Sequence, residues 1–180
     1  LFITDNFPPE VNAPASRTYE HCKVWVKSGV DVTVITGFPN YPKGKIYKGY
    51  KNRIYKSEKI DGINVIRVWT YIAPNEGVIR RTLDYLSFAI MAFIFSFNIK
   101  FDLLIATSPQ IFSAISGMCI SKLTNKPWVM EVRDLWPDSI VAVGAINNTS
   151  IIKFLKKLEL KCYNSATRII CVTDSFKKII

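Results

Sequence analysis

The chain has 180 residues, of which 49% are hydrophobic and 21% charged, and 24 Lys and Arg outnumber 14 Asp and Glu. This composition supplies one sizeable core and excludes disordered, collagen-like and low-complexity classes. The four cysteines are 97, 43 and 9 residues apart, a spacing that matches neither a disulfide scaffold nor a Cys-x-x-Cys metal site. His21 is the only histidine, which excludes a His-x-x-x-His zinc site, and we expect no metal.

The first third of the chain predicts a strand, a helix and a second strand. Residues 1–5 open with an apolar run, and residues 14–28 carry apolar side chains at helical spacing, with Gly29 as the stop. Residues 30–36 are rich in β-branched side chains, which favour a strand. Together these segments predict a right-handed βαβ unit.

Alternating strands and helices are predicted for the rest of the chain. A loop over 37–51 leads into a hairpin whose strands, 53–59 and 63–71, are joined at Asp61-Gly62. Further on we predict strands over 102–107, 127–132 and 168–172, helices over 79–98, 110–122, 150–163 and from 174 onward, and a loop over 133–139. The pattern predicts one Rossmann-like, three-layer α/β/α domain with a mostly parallel sheet and a small hairpin insertion, and ligands at the carboxyl ends of the strands.

The helix predicted over 79–98 raises the question of a membrane. It contains an uncharged run of 15 residues, from Tyr85 to Ile99, whereas a spanning helix needs about 20 apolar residues. Two interpretations remain open. The helix packs in the core or on the sheet, or it lies at a membrane interface with Arg80 and Arg81 at its head.

The loop after the first strand is a candidate anion site. It contains no glycine, so it lacks the Gly-x-Gly-x-x-Gly pattern of dinucleotide folds, and the chain has no P-loop. The loop instead places Ala13 and Ser16 at the start of a helix, with Arg17 one turn in, and helix starts attract anions. An ordinary βα loop is the alternative.

Charged residues cluster at the end of the strand predicted over 127–132. Glu131, Arg133, Asp134 and Asp138 lie within eight positions of each other. A carboxylate there is suited to orient a hydroxyl or to accept its proton. The alternative is an Arg–Asp pair that closes the loop.

Two segments are strongly basic. Seven cations stand between residues 43 and 59 against one acid, and the helix over 150–163 is amphipathic with lysines on one side. Such segments suit an anionic polymer, a phospholipid surface or a phosphorylated substrate, and solvated basic faces are the alternative. The cations of the first segment are Lys43, Lys45, Lys48, Lys51, Arg53, Lys56 and Lys59. The helix carries Lys153, Lys156, Lys157 and Lys161 on one side, and Ile151, Phe154, Leu155, Leu158 and Cys162 on the other.

Three segments resemble bacterial family-4 glycosyltransferases of the GT-B fold. They are FPPEVNAPASR at 7–17, VTVITGFPNYP at 32–42 and EVRDLWPDS at 131–139. The match runs in register over essentially the whole chain. Within that family, the three segments resemble enzymes of O-antigen, capsule and colanic-acid assembly, including the fucosamine-transferase group.

The resemblance implies that residues 1–180 form the N-terminal, acceptor-side domain of a two-domain enzyme, without its nucleotide-sugar domain. The whole enzyme would transfer a hexose or N-acetylaminosugar from a nucleotide sugar to a polyprenyl-diphosphate-linked acceptor, with retention of the anomeric configuration. The expected donor is a UDP-sugar. The nucleotide sugar is a co-substrate, and no cofactor is expected. The implied location is the inner face of a bacterial plasma membrane, peripherally bound, and the isolated domain should be inactive.

The resemblance also implies roles for particular residues. Asp134 would act on the sugar or acceptor hydroxyl, with Arg133 as its electrostatic partner. Two positions depart from the family pattern, since many relatives carry Gly where this chain has Asn12 and His where it has Arg133. The expected donor- or acceptor-binding residues are Glu10, Asn12, Ala13, Ser16, Arg17, Ser108 and Asp138, and the expected membrane contacts are Lys43, Lys45, Lys48, Arg80, Arg81, Lys153, Lys156 and Lys157.

Two other functional classes are alternatives. A non-catalytic, basic Rossmann-like module would hold nucleotide or another polyanion, but the charge lies in proline-containing loops rather than along a reading helix, and no nucleic-acid motif is present. A nicotinamide-dependent oxidoreductase is disfavoured by the glycine-free first loop.

Overall fold

The computed structural model describes residues 1–72, 77–108 and 111–180. The chain divides into two units, Leu1–Phe101 and Asp102–Ile180. Each is an α/β unit whose strands are mostly parallel and flanked by helices, which confirms the predicted fold class. Gln110, the predicted first residue of one helix, lies outside the described residues.

The first unit contains the predicted βαβ element and the hairpin. Its strands follow the order β3-β4-β2-β1, with β1 parallel to β2, β2 parallel to β4, and β3 antiparallel to β4. The elements are β1 Phe2–Ile3, α1 Ala13–Lys27, β2 Thr33–Gly37, β3 Tyr55–Ile60, β4 Ile63–Val68 and α2 Val78–Ser96.

Local sequence signals fix both ends of α1. The Asn12 side chain caps the helix, its Oδ1 accepting from the Ala15 N–H at 2.9 Å. After the C-cap, Gly29 adopts φ +83°, a conformation that glycine reaches without steric cost. The helix therefore begins one position before the predicted range and ends one position before its predicted last residue.

The hairpin turn is the two-residue connection that the sequence predicted. Ile60 pairs with Ile63, so Asp61 and Gly62 form the loop, and both have positive φ, at 47° and 85°. A Cβ on Gly62 would lie 2.8 Å from Val26 Cγ1 on α1. Glycine is therefore required there both for its backbone angle and for packing.

The second unit has three parallel strands in the order β5-β6-β7. Its helix α3 packs closely on the sheet, since a Cβ on Gly117 would lie 2.7 Å from Ala106 Cβ and 3.3 Å from the Trp128 ring. Trp128 is fully buried, and its indole N–H donates to the Ser165 carbonyl at 2.9 Å. The elements are β5 Leu104–Thr107, α3 Ile111–Thr124, β6 Trp128–Val132, α4 Asp138–Ala142, α5 Thr149–Ser165, β7 Arg168–Cys171 and α6 Asp174–Ile179.

The short helix α4 corrects the loop predicted over 133–139. Asp138 and Ser139 lie in the first turn of α4 instead. A five-residue helix is too short to show an apolar period in the sequence, which is why the prediction was wrong there. The Asp138 carboxylate in the first turn suits the positive end of the helix.

Helix α2 packs on the sheet of the first unit, against β2 and β4. Four small or apolar side chains of α2 are buried there: Phe88, Ala89, Ala92 and Ser96. The interpretation that this helix packs on the sheet is therefore confirmed for one of its faces. In the described part of the chain, no helix is long and apolar enough to cross a membrane.

Candidate functional site

The carboxyl ends of β1 and β2 lie side by side in the first unit. The Asp5 carbonyl accepts from the Gly37 N–H at 3.2 Å and from Thr36 Oγ1 at 3.0 Å. A Cβ on Gly37 would lie 3.4 Å from that carbonyl and 3.5 Å from Thr70 Cγ2. The loops that leave these two strands are therefore held in register where the sheet ends.

Glu10 ties the first of these loops to the second. Its side chain is buried, and Oε1 accepts from the backbone N–H groups of Asn40 at 2.8 Å and Tyr41 at 2.9 Å. Burial raises the pKa of Glu10, although these backbone hydrogen bonds act in the opposite direction. One carboxylate oxygen of this predicted ligand-binding residue is thus engaged in bracing the loops.

Arg67 braces the same loops from β4, and sequence reasoning missed it. Its side chain is fully buried, Nη1 donates to the Gly37 carbonyl at 3.1 Å, and Nη2 donates to the Pro8 carbonyl. Its Nε donates to Glu58 Oε1 at 2.5 Å. We call Arg67 with these three partners the arginine clamp. A charged residue inside the β-branched run of β4 was the available signal, because a buried charge must be paired.

The electrostatics of the clamp are those of a satisfied ion pair. Burial works to raise the pKa of Glu58, but hydrogen bonds from Lys56 and Arg67 outweigh it and hold that pKa below its ordinary value. The Arg67 guanidinium also lies 5.0 Å from the centre of the Tyr50 ring. The clamp therefore connects the first loop, the second loop and the hairpin.

The predicted anion site lies at the start of α1, five residues along the chain from Pro8 of the clamp. Ala13 and Ser16 are exposed and Arg17 is half-buried. Asn12 is itself held by Asn6, to whose Oδ1 its amide nitrogen donates. An anion bound at this helix start would compete with the Asn12 side chain for the Ala15 N–H.

Asp84 on α2 is a second charged residue that sequence reasoning did not single out. Burial first, and then the negative charge of Glu10, raise its pKa from 3.8 to about 6. It is the only acid in the sequence of α2, a signal that could have found it. A carboxyl that titrates near neutrality is one of the features of functional sites.

In the second unit, Ser108 and Arg133, two of the predicted site residues, lie next to each other. Ser108 follows β5, is buried, and donates its N–H to the Glu131 carbonyl at 2.9 Å. Its Oγ accepts from the Arg133 N–H at 2.9 Å. Ser108 thereby fixes the backbone where β6 ends and the loop to α4 begins.

Asp134 lies in that loop with an exposed side chain, next to the half-buried Arg133. Its carbonyl accepts from the Trp136 N–H at 3.0 Å, and the Trp136 ring meets Phe112 edge-on at 6.4 Å. The backbone of the turn is therefore anchored while the Asp134 side chain reaches solvent. This geometry suits a carboxylate that meets a ligand hydroxyl.

The family model described as Glycosyltransferase Family 4 matches residues 15–180. The chain belongs to glycosyltransferase family 4. The match covers the second and third segments that carried the resemblance and the last residues of the first. Among curated proteins no match to the chain was found. The family resemblance is confirmed, and its narrower assignment to the fucosamine-transferase group finds no support beyond the resemblance itself.

Two of the predicted site residues of this family-4 domain pair with each other. Asp138 Oδ1 lies 2.7 Å from Lys156 Nζ, with both side chains about half exposed. The hydrogen bond to Asp138 raises the pKa of Lys156. This pair joins α4 to α5, although one residue was predicted to bind ligand and the other to contact a membrane.

The other residues that were predicted to contact a membrane are exposed in both units. Arg81 Nη2 donates to the Tyr85 hydroxyl at 3.0 Å. On α5 only Leu155 and Cys162 are buried, whereas Ile151 and Phe154, predicted on its apolar side, are exposed. The exposed cations are Lys43, Lys45, Lys48, Arg80 and Arg81 in the first unit and Lys153 and Lys157 in the second.

Proposed function

We propose that this family-4 domain is the acceptor-side half of a retaining enzyme of bacterial surface polysaccharide assembly, and that residues 1–180 form that half. The enzyme moves a hexose or N-acetylaminosugar from a nucleotide sugar, with a UDP-sugar as first choice, to a polyprenyl-diphosphate acceptor. The observation that carries the proposal is the exposed Asp134 on a backbone turn fixed by Ser108 at the carboxyl end of β6.

In the proposed reaction, the bond from the sugar to the nucleotide diphosphate breaks and a bond to the acceptor hydroxyl forms. Asp134 accepts a hydrogen bond from a sugar or acceptor hydroxyl and orients it, which is work that a carboxylate in a fixed turn performs well. Arg133 balances the negative charge beside it. At the start of α1, Ser16 and Arg17 meet the donor diphosphate, whose charge is favoured at a helix N-terminus.

A lipid-linked acceptor places the enzyme at the inner face of the plasma membrane. The domain is basic, with a net charge of +10, and its cations at residues 43–59 and on α5 are largely exposed. Each Lys or Arg close to an anionic leaflet contributes about 1 kcal/mol to binding. Peripheral attachment therefore needs no spanning segment in this domain.

The test is a transfer assay on the enzyme that contains this domain, with polyprenyl-diphosphate sugars in membrane extract and a panel of nucleotide sugars. Asp134→Asn should lower the transfer rate by about 100-fold or more, within the range of general acid–base effects. The matched control is Asp102→Asn. Asp102 is an exposed acid of the same unit, and it lies just before β5, at the amino end of that strand, whereas Asp134 follows the carboxyl end of the parallel strand β6. Both variants should keep the circular-dichroism spectrum of the parent.

If both variants lost the same fraction of the transfer rate, Asp134 would have no specific role in the reaction. No transfer with any donor, together with salt-sensitive binding of nucleotide or another polyanion, would favour the non-catalytic module instead. That alternative draws on the same net charge of +10.

A further inference from the structure

A buried hydroxyl without a partner lies at the carboxyl end of the sheet in the first unit. Thr70, two residues past β4, is 1% exposed, and its Cγ2 lies 3.5 Å from the position that a Cβ on Gly37 would take. Among the described residues, none forms a hydrogen bond with Thr70 Oγ1. Burying a hydroxyl without a hydrogen bond costs free energy, so this group is a candidate for ligand binding.

The Thr70 side chain lies on the side of the sheet that α2 covers. On this side Tyr55 of β3 stacks on Phe95 of α2, with ring centres 5.3 Å apart. Val68 is the register partner of both Tyr55 and Gly37, and register partners point to the same side of a sheet. Because Thr70 follows Val68 by two positions and contacts the Cβ position of Gly37, its side chain faces the space between the sheet and α2.

Asp84 bounds this space from α2. It lies one turn before Phe88, on the side of the helix that packs on the sheet. Ser87 Oγ donates to the Asp84 carbonyl at 2.8 Å and accepts from the N–H of Tyr71, the residue after Thr70, also at 2.8 Å. The helix is therefore tied to the segment that follows β4. Within the described residues, no hydrogen bond reaches the Asp84 carboxylate.

The charge around this space is negative. The carboxylate of Glu10 lies close enough to Asp84 to raise the pKa of Asp84, and Asp5 Oδ1 lies 3.9 Å from the same Cβ position. The buried Arg67 also attracts Glu10, but its nitrogens donate to Glu58 and to two backbone carbonyls. The space therefore offers hydrogen-bond acceptors in a negative environment. Such a site suits a ligand that carries hydroxyl groups and no negative charge.

Two exposed tyrosines flank these polar groups. The Tyr41 N–H is held by Glu10 Oε1 at 2.9 Å and the Tyr71 N–H by Ser87 Oγ at 2.8 Å, while both tyrosines are 41% exposed. They follow the adjacent parallel strands β2 and β4, so both lie at the same edge of the sheet. A sugar ring presents C–H groups to an aromatic face and hydroxyls to polar acceptors. Aromatic rings beside a few fixed polar groups are typical of small-ligand sites.

We propose that Thr70 and Asp84 bind hydroxyl groups of the acceptor's terminal sugar, and that this sugar is uncharged. The inference rests on the proposed function, which makes this domain the acceptor-side half. Asp84 accepts hydrogen bonds from the sugar hydroxyls, and Thr70 Oγ1 gains the partner that the fold does not supply. The charges of Asp84 and Glu10 repel a sugar that bears a carboxylate or a phosphate, because like charges repel strongly where water is partly excluded. Uronic acids and phosphorylated sugars are therefore the acceptors that the site rejects.

The experiment titrates the isotope-labelled chain at neutral pH and follows the amide signals of Tyr41 and Tyr71 by nuclear magnetic resonance. The probes are the methyl glycosides of glucose, galactose, mannose and N-acetylglucosamine, and of the uronic acids of the first three. At least one neutral glycoside should shift both signals, and the uronic acids should bind about tenfold more weakly or worse, the scale of one like-charge contact. Asp84→Asn should reduce this preference for neutral sugars.

Thr70→Val separates ligand binding from folding. It keeps the shape of the side chain and removes the hydroxyl, so affinity for the neutral glycoside should fall by about tenfold, the effect of one hydrogen bond. Its urea midpoint should stay level or rise, because the hydroxyl has no partner among the described residues. The matched control is Ser96→Ala, at the other end of α2, whose buried Oγ donates to the Phe93 carbonyl at 2.7 Å. That variant should lose stability and bind the glycoside as wild type does.

Three results would overturn the proposal: no glycoside shifts the two signals, uronic acids bind as tightly as neutral glycosides, or Thr70→Val binds like wild type. UDP-glucose is the further probe. If it shifted the same signals at lower concentration than methyl glucoside, and Thr70→Val weakened it, the site would hold the donor sugar instead. The titration involves no transfer, so sugar binding without transfer would leave the site standing and remove the reaction, whereas transfer unaffected by Thr70→Val would remove the site alone.

Discussion

The ends of β1 and β2 in the first unit and the end of β6 in the second position their residues by different means. In the first unit, Arg67 and Glu10 are buried charges whose hydrogen bonds go to backbone groups of the two loops. In the second unit, a neutral hydroxyl, Ser108, fixes the backbone, and the carboxylate of Asp134 stays exposed. Buried charges thus set the path of the chain, whereas exposed ones remain available to a ligand.

The largest loss of stability that this comparison predicts follows from replacing Arg67. Arg67→Met leaves the half-buried Glu58 with Lys56 as its remaining partner, and it leaves the carbonyls of Pro8 and Gly37 without this donor. A buried acceptor left without its donor costs about 1–3 kcal/mol, so the two carbonyls together cost about 2–6 kcal/mol. Urea unfolding should therefore show the free energy of unfolding of the chain lowered by that amount.

The matched control for Arg67→Met is Lys56→Met, which removes the other cation bound to Glu58. The Lys56 side chain is more than a third exposed, so we expect a loss of about 1 kcal/mol or less. Similar losses in the two variants would show that the clamp contributes no more than a surface pair.

Replacing Asp84 should have an intermediate effect on the free energy of unfolding, and that effect should depend on pH. Its pKa is about 6 in the folded chain against an ordinary 3.8, so between about pH 4 and 6 the folded state keeps a proton that the unfolded state loses. The wild-type chain consequently loses stability as the pH rises through this window. Asp84→Asn should match wild type near pH 4 and be more stable by about 1 kcal/mol at pH 7.5, a value reduced for solvent screening.

Thermal or urea unfolding of Asp84→Asn and wild type across pH 4–7.5 checks this expectation. Asp31→Asn, which replaces an exposed acid of the same unit, should show no such divergence from wild type. A constant difference between Asp84→Asn and wild type at all pH values would mean that the substitution acts through packing rather than through the proton.

The smallest effect is predicted for the surface pair of the second unit. Lys156→Gln removes the ion pair with Asp138, whose side chain is more than half exposed. Exposed pairs contribute about 0.2–1 kcal/mol, and added salt screens them. The free energy of unfolding should fall by no more than about 0.5 kcal/mol, and 1 M NaCl should erase the difference from wild type. A loss comparable to that of Arg67→Met would remove the contrast between the two regions.

Short-range chemistry allowed much of the fold to be predicted. Gly29 stops α1 and Asp61-Gly62 turns the hairpin because the positive φ angles needed there are local properties of one or two residues. Helix α4 escaped prediction because five residues show no period. In the candidate site, the rule that ligands bind at the carboxyl ends of strands pointed to the loops that contain Ser108, Arg133 and Asp134, and the resemblance supplied the roles of these residues. The structure brings Ser108 and Arg133 into contact.

The sequence by itself determined the order along the chain of the strands and of every helix but α4, the basic charge and the segments that carry the family resemblance, since these depend on residue type and spacing alone. Only the tertiary structure decided that Arg67 joins Pro8, Gly37 and Glu58, residues 59, 30 and 9 positions away. It likewise decided which apolar side chains of α2 are covered by the sheet and which stay exposed. Contacts between distant residues, and the division of an uncharged helix into a buried and an exposed face, depend on which elements pack together, and that is set by the folded chain.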